Sequence, residues 1–173
     1  MVINYCGGSC FKIQSGKLSI VVNPLPRFKG DITFYTENAP TDWPPTPGHI
    51  YGPGEYEIQE TEIRGWSAKS NTSTYLAVAE EIRLCFLGEL GDVLEPGLLD
   101  KIGEIDILFA PAKTAGKIIK QLQPKIVIPF FKKSDELKTF LKDLELKSEE
   151  MDKLTIKKKE LESSKMKVIV LKV

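Results

Sequence analysis

The residues best suited to bind a metal ion or to act as nucleophiles are scarce in this chain. The only histidine is His49, and the three cysteines, Cys6, Cys10 and Cys85, form no C-x-x-C pair. A zinc centre needs three or four ligands, so these residue types and spacings do not predict one. Because the cysteines lie among apolar residues, we expect buried, reduced thiols rather than disulfides.

Serine and glycine motifs do not supply a different chemistry. Ser9 and Ser67 have no histidine near them in sequence and no G-x-S-x-G elbow, which argues against a serine hydrolase. Gly7 and Gly8 lie in a predicted hairpin turn, and no G-x-x-x-x-G-K-[ST] motif occurs. The sequence therefore predicts neither a serine nucleophile nor a phosphate-binding loop.

Strands dominate the predicted elements of the first half of the chain. Alternating apolar side chains and β-branched residues are typical of strands that are buried on one face. The predicted strands cover residues 2–6, 10–14, 18–23, 32–36, 55–58, 62–66, 74–79 and 82–87. The first three form a meander, and enough strands are present to fill two sheets.

Helices alternate with strands after residue 95. The helical pattern covers Pro96–Ile102, residues 114–122 and Ser134–Leu144, and strands are predicted at residues 105–109, 125–129, 154–158 and 167–172. We expect Ser134 to cap the third helix, whose apolar residues share one face. This order of predicted strands and helices indicates a single α/β domain, residues 1–173, with stacked sheets and flanking helices.

The opening Tyr5-Cys6-Gly7-Gly8-Ser9-Cys10-Phe11, followed by Ile20-Val21-Val22-Asn23-Pro24, resembles the first hairpin of the metallo-β-lactamase superfamily. The L-ascorbate-6-phosphate-lactonase-like branch is the most similar, with leucine-glycine-histidine-serine-cysteine-phenylalanine and then aspartate-proline. Further matches follow in order at residues 31–36, 53–56, 71–76, 86–91, 106–111 and 124–131. The resemblance implies an α/β fold of the metallo-β-lactamase type: a compact αββα sandwich of two mixed β-sheets flanked by helices.

The metal ligands of that family are replaced in this chain. The resemblance puts a histidine of the first hairpin at Gly8, the aspartate after leucine-glycine at Glu89, and a late histidine at Phe131. The family's His-x-His-x-Asp-His loop corresponds to Glu37, Ala39, Thr41 and Asp42. His49 matches none of these positions. We therefore expect no catalytic residues, no bound metal and no cofactor.

Two further expectations follow from these replacements. Phe131, beside Phe130, is expected to plug the former metal site with apolar surface. In the alternative hypothesis, Glu37, Asp42 and Glu89 form an oxygen-rich site for Mg²⁺ or Ca²⁺ in a rearranged hydrolase. Acidic residues of this kind more often remain solvated or form surface ion pairs.

Charge and composition limit the partners. Residues 1–112 hold 8 Lys and Arg against 15 Asp and Glu, a net charge of −7, and residues 113–173 hold 16 against 9, a net charge of +7. Such halves could align subunits in a homo-oligomer, and the basic half could attract phosphates or nucleic acid, but we expect the lysines to lie on solvated helix faces. We expect a solvated edge strand at residues 157–159 rather than a nucleic-acid patch.

Trp43, among the prolines of residues 39–48, leaves two interpretations open. It either folds over the plugged site as a lid or stays exposed and anchors a protein contact. No apolar run is long enough to cross a membrane, and we expect no secretory signal at the start of the chain. The sequence names no partner, and we expect a cytoplasmic location.

Overall fold

Glycine turns and alternating side chains fold the start of the chain into a three-stranded meander. Strands β1 (Val2–Gly7), β2 (Cys10–Ser15) and β3 (Leu18–Val22) pair antiparallel. Gly7, Gly8 and Gly16 have φ of 102°, 64° and 56°, a region that other residues enter only with strain. These glycines therefore allow the two chain reversals.

The computed structural model describes residues 1–41, 46–69, 71–88, 96–114, 116–162 and 165–173. Within these ranges the later strands are β4 (Ile32–Phe34), β5 (His49–Ile50), β6 (Gly54–Ile58), β7 (Thr61–Ser67), β8 (Ser73–Ala79), β9 (Ile82–Phe86), β10 (Ile107–Pro111), β11 (Ile126–Phe130), β12 (Ser148–Met151), β13 (Lys153–Thr155) and β14 (Lys167–Leu171). The helices are α1 (Pro96–Ile102), α2 (Gly116–Leu122) and α3 (Ser134–Leu144). A 3₁₀ turn covers Lys158–Glu160.

The strands form two mixed sheets. The smaller sheet has the order β13-β1-β2-β3-β4-β5, and the larger has the order β12-β14-β11-β10-β9-β8-β7-β6. Strands β3, β4 and β5 run parallel to one another, as do β9, β10, β11, β14 and β12. The predicted fold class is confirmed.

Aromatic rings fill the space between the two sheets. Phe109 stacks on Phe86 with ring centroids 4.3 Å apart, and Phe11 meets Phe109 edge-on at 4.8 Å. Phe34 contacts both Phe86 and Tyr75, at 5.0 and 4.9 Å. Each of these rings is at most 2% exposed, so the cluster is a major part of the hydrophobic core.

The described helices pack against the outer face of the larger sheet. Ile118 and Ile119 of α2 and Phe140 and Leu144 of α3 join one apolar cluster with strand residues such as Val127. The predicted apolar face of α3 is thus confirmed. The expected Ser134 cap is wrong, because Lys133 occupies the N-cap position and makes no side-chain capping hydrogen bond.

The structure departs from the sequence prediction near the end of the chain. The predicted strand at residues 154–158 ends at Thr155, and the expected edge strand at residues 157–159 is wrong because the 3₁₀ turn begins at Lys158. The ammonium of Lys158 lies 2.7 Å from a carboxylate oxygen of Asp106. This lysine therefore stabilises the fold through an ion pair.

None of the helices in the described parts of the chain is long and apolar enough to cross a membrane.

Candidate functional site

Strand ends from both sheets meet at one edge of the sandwich. The carboxyl ends of β4 in the smaller sheet and of β9, β10 and β11 in the larger sheet all lie there, together with the β1–β2 turn. The backbone N–H of Ser73 donates to the carbonyl oxygen of Thr36 at 2.8 Å, which joins the two sheets at this edge. Ligand sites commonly form at the carboxyl ends of parallel strands, so this edge is the candidate site.

A cavity of about 270 Å³ opens at this edge, and we call it the strand-end pocket. Three predicted positions, Gly8, Glu37 and Phe131, line it together. Glu89 follows Gly88, which also lines the pocket, but Glu89 itself lies outside the described residues. Three positions that are far apart in the chain thus meet at one cavity.

Asn23 is hydrogen-bonded to two residues that line the pocket, Ser9 and Thr36. Its amide nitrogen donates to the hydroxyl of Thr36 at 2.7 Å and lies 3.4 Å from the carbonyl oxygen of Ser9, while its amide oxygen accepts from the backbone N–H of Thr36 at 2.8 Å. The hydroxyl of Ser9 in turn donates to a carboxylate oxygen of Glu37 at 2.6 Å. These residues thus form a polar network that bridges the first hairpin and β4.

The walls of the pocket are apolar and its rim is charged. Leu87, Pro111 and Phe130 form part of the wall, and Lys113, Lys132 and Glu136 lie around it. Phe130 packs edge-on against Phe11 at 5.9 Å, and the half-buried Phe131 packs with the helical layer. The two rings therefore bound the cavity without filling it, and the expected plug is wrong.

The described residues do not fit the zinc centre that the family resemblance implies. Glu37 and Glu136 are the carboxylates lining the pocket, and each accepts a hydrogen bond, from Ser9 and from the backbone N–H of Lys132. Throughout the described ranges, no group of three or more His, Cys, Asp or Glu side chains could hold a metal ion. Zinc needs three or four such ligands.

The other former metal-ligand positions and Trp43 lie around the pocket or outside the described residues. Ala39 lines a second, neighbouring cavity, and Thr41 is exposed on the same loop. Asp42 and Trp43 lie outside the described residues.

His49 lies apart from the pocket on the edge strand β5. Its Nδ1 is 3.2 Å from the hydroxyl of Tyr35, and the rings of Tyr35 and Tyr51 stack at 5.6 Å. Burial lowers the pKa of His49 below its usual value, because the charged imidazolium loses solvation. This histidine is therefore part of an aromatic cluster at the sheet edge.

The three cysteines are free and buried, as expected. Burial raises the pKa of the Cys6 thiol to about 11 and also raises the pKa of Cys10 and of Cys85. A raised pKa disfavours the thiolate, which is the reactive and metal-binding form.

Sequence reasoning missed several residues of the pocket. No role was predicted for Thr36, Lys113 and Lys132, which line it, or for Asn23, which is hydrogen-bonded to Thr36. Asn23 directly follows β3, and Thr36, Lys113 and Lys132 each lie two residues after the end of a strand on the shared edge, so their position relative to the strand ends was the available signal.

This fold is that of the metallo-β-lactamase class of α/β sandwiches. A family model described as a beta-lactamase superfamily domain matches residues 2–130, and the chain belongs to that superfamily. None of the curated proteins matches the chain.

Solved structures share the fold at low sequence identity. A proposed Zn-dependent hydrolase of the metallo-β-lactamase superfamily from Thermotoga maritima superimposes with a TM-score of 0.80 at 24% identity, covering 99% of each chain. A proposed metal-dependent hydrolase from Parabacteroides distasonis gives 0.65 at 17% identity, covering 98% of this chain and 93% of its own. A metallo hydrolase from Ignicoccus hospitalis gives 0.64 at 14% identity, covering 83% of this chain and 90% of its own.

Proposed function

We propose that this chain is a non-catalytic member of its superfamily that keeps the sandwich as a binding or assembly module. The observation that carries the proposal is the lining of the strand-end pocket, where Gly8, Glu37 and Phe131 contribute a single carboxylate. Metal-dependent hydrolysis needs a bound cation that acidifies water, and this set of side chains is too poor in ligands to hold one.

The pocket has features that suit ligand binding. Its apolar wall includes Leu87 and Phe130, and hydroxyl groups of Ser9 and Thr36 lie on its floor. Small-molecule sites typically combine apolar walls with a few fixed polar groups. The proposal therefore assigns recognition, without bond cleavage, to this edge of the sandwich. The free, buried cysteines favour a reducing compartment, and we propose a cytoplasmic location.

The alternative function is a metal-dependent hydrolase with an oxygen-rich site. Glu37 would then meet Asp42 and Glu89, and three carboxylates suit Mg²⁺ or Ca²⁺ better than Zn²⁺. The hydrolase descriptions of the Thermotoga and Parabacteroides proteins favour this alternative.

An activity panel separates the two functions. We expect no turnover of phosphodiester, lactone or β-lactam substrates above the buffer rate in the presence of Mn²⁺, Zn²⁺ or Mg²⁺, because no group remains to lower the pKa of a water. Glu89→Gln tests the alternative, and Glu104→Gln, an exposed carboxylate paired with Arg83, is the matched control. Turnover that Glu89→Gln abolishes and Glu104→Gln retains would refute the non-catalytic proposal.

If the chain acts as an assembly module, the features that could join its copies are Trp43 and the opposite charges of the two parts of the chain. If Trp43 anchors a contact between copies, the oligomer should dissociate in Trp43→Ala, and salt should weaken it. We expect that Trp43 does not anchor such a contact, and therefore that the protein is a monomer. Sedimentation of both proteins at low and high salt measures this, and a salt-sensitive dimer that Trp43→Ala loses would contradict it.

A further inference from the structure

The second cavity beside the strand-end pocket differs from it in chemistry. This cavity of about 610 Å³, which we call the polar cleft, shares Glu37 and Thr72 with the pocket. Its other polar side chains include Asn38, Ser67 and Asn71. The strand-end pocket has leucine and phenylalanine in its wall, whereas the polar cleft is lined mainly by hydroxyl, amide and carboxylate groups.

Two amides of the polar cleft are available to a ligand. Asn38 and Asn71 are both exposed, and the described contacts include no hydrogen bond from either side chain. Each amide offers two N–H donors and an oxygen that can accept two hydrogen bonds. The cleft therefore presents donors and acceptors in similar number, which suits a ligand whose own groups do both.

A fixed aromatic ring lies at the edge of the polar cleft. Tyr51 lines the cleft, and Tyr35 stacks on it with an interplanar angle of 8° while His49 lies beside it at 5.9 Å. The backbone N–H of Thr46 donates to the Tyr51 hydroxyl at 3.3 Å. These contacts hold the ring in place, so packing a ligand against it costs no entropy for ordering this side chain.

The charge of the residues that line the polar cleft limits the kinds of ligand that it can bind. Among the described residues that line the cleft, Glu37 is the carboxylate and already accepts from Ser9, and none is a lysine or an arginine. An anion such as phosphate would meet no cation here, and an apolar ligand would leave the amides without partners. A neutral ligand rich in hydroxyl groups satisfies both conditions.

We propose that the polar cleft binds a neutral saccharide of about two rings, with Tyr51 against a sugar face and Asn38 and Asn71 hydrogen-bonded to hydroxyls. A cavity of about 610 Å³ is within the range of small-molecule sites and larger than one sugar ring requires. This inference deepens the proposed function, on which it rests, because it names the ligand class of the binding module.

The test uses the neutral disaccharides maltose, cellobiose and diacetylchitobiose, titrated into ¹⁵N-labelled protein. At least one should shift the side-chain amide signals of Asn38 and Asn71 with a Kd of about 1 mM or lower. Asn71→Gly should weaken this binding at least tenfold, since φ at Asn71 is 59° and glycine tolerates that backbone. Gln123→Gly, at φ 47° and outside the cleft, is the matched control and should leave binding unchanged.

Two variants of Tyr51 separate the contribution of its aromatic ring to binding from any effect on folding. Tyr51→Phe keeps the aromatic surface and should retain binding, whereas Tyr51→Leu should lose it while remaining folded by circular dichroism. No shift with any of the three disaccharides, equal weakening in Gln123→Gly, or tighter binding of inorganic phosphate than of sugar would overturn the saccharide inference. Cleavage of a bound disaccharide would instead overturn the non-catalytic proposal, so the two failures are distinguishable.

Discussion

Replacing Phe109 by alanine should lower the free energy of unfolding by about 3–5 kcal/mol, the largest loss we expect from a single side chain. Phe109 is 1% exposed, stacks on Phe86 at 4.3 Å and meets Phe11 edge-on at 4.8 Å. Truncation removes these contacts and leaves a cavity between two hydrogen-bonded sheets, which cannot collapse to fill it.

Phe109→Leu is the graded control for this loss. Leucine keeps most of the apolar volume, so we expect a loss of about 1–2 kcal/mol. Urea unfolding at equilibrium, with the same slope for each variant, gives both values. A loss below about 1 kcal/mol for Phe109→Ala would show that the aromatic cluster contributes little to stability.

Asp106→Ala should cost about 2–3 kcal/mol, because it removes the acceptor for two donors at once. Oδ2 of Asp106 accepts from the backbone N–H of Arg83 at 2.8 Å and from the ammonium of Lys158 at 2.7 Å. The Asp106 side chain is 12% exposed and that of Lys158 is 34% exposed, so the lysine can regain water but the backbone donor loses its partner.

Lys158→Ala separates these two contributions. It removes only the partly solvated ion pair, and we expect a loss of about 1 kcal/mol or less. Asp106→Asn retains an acceptor for Arg83 and should fall between the two alanine variants. Equal losses in Asp106→Ala and Lys158→Ala, measured by urea unfolding, would contradict the assignment of most of the energy to the backbone hydrogen bond.

The longer strands could be predicted because their side chains alternate, as in β7, or form short apolar runs, as in β10 and β11, but two short strands could not. Strand β12 (Ser148–Met151) contains two glutamates and is paired only through the apolar strand β14. Strand β5 has two residues, too few for any alternation to be visible. In both cases a long-range partner determines the strand, and a single sequence does not specify that partner.

The site was predictable in location but not in shape. Gly8, Glu37 and Phe131 each follow a strand that ends at the same edge, so their convergence follows from the order of the strands. Whether Phe130 and Phe131 would fill the cavity depends on their packing against Phe11 and the helical layer. The hydrogen bonds of Asn23 to Thr36 likewise depend on the pairing of β3 with β4.

The metal content of the purified protein tests the non-catalytic proposal most directly. We predict that elemental analysis finds Zn, Mn and Fe well below one equivalent per chain, and that a chelator leaves the melting temperature unchanged, because no folding free energy depends on a metal. One tightly bound transition-metal ion per chain, with a melting temperature that falls when the chelator removes it, would contradict the proposal.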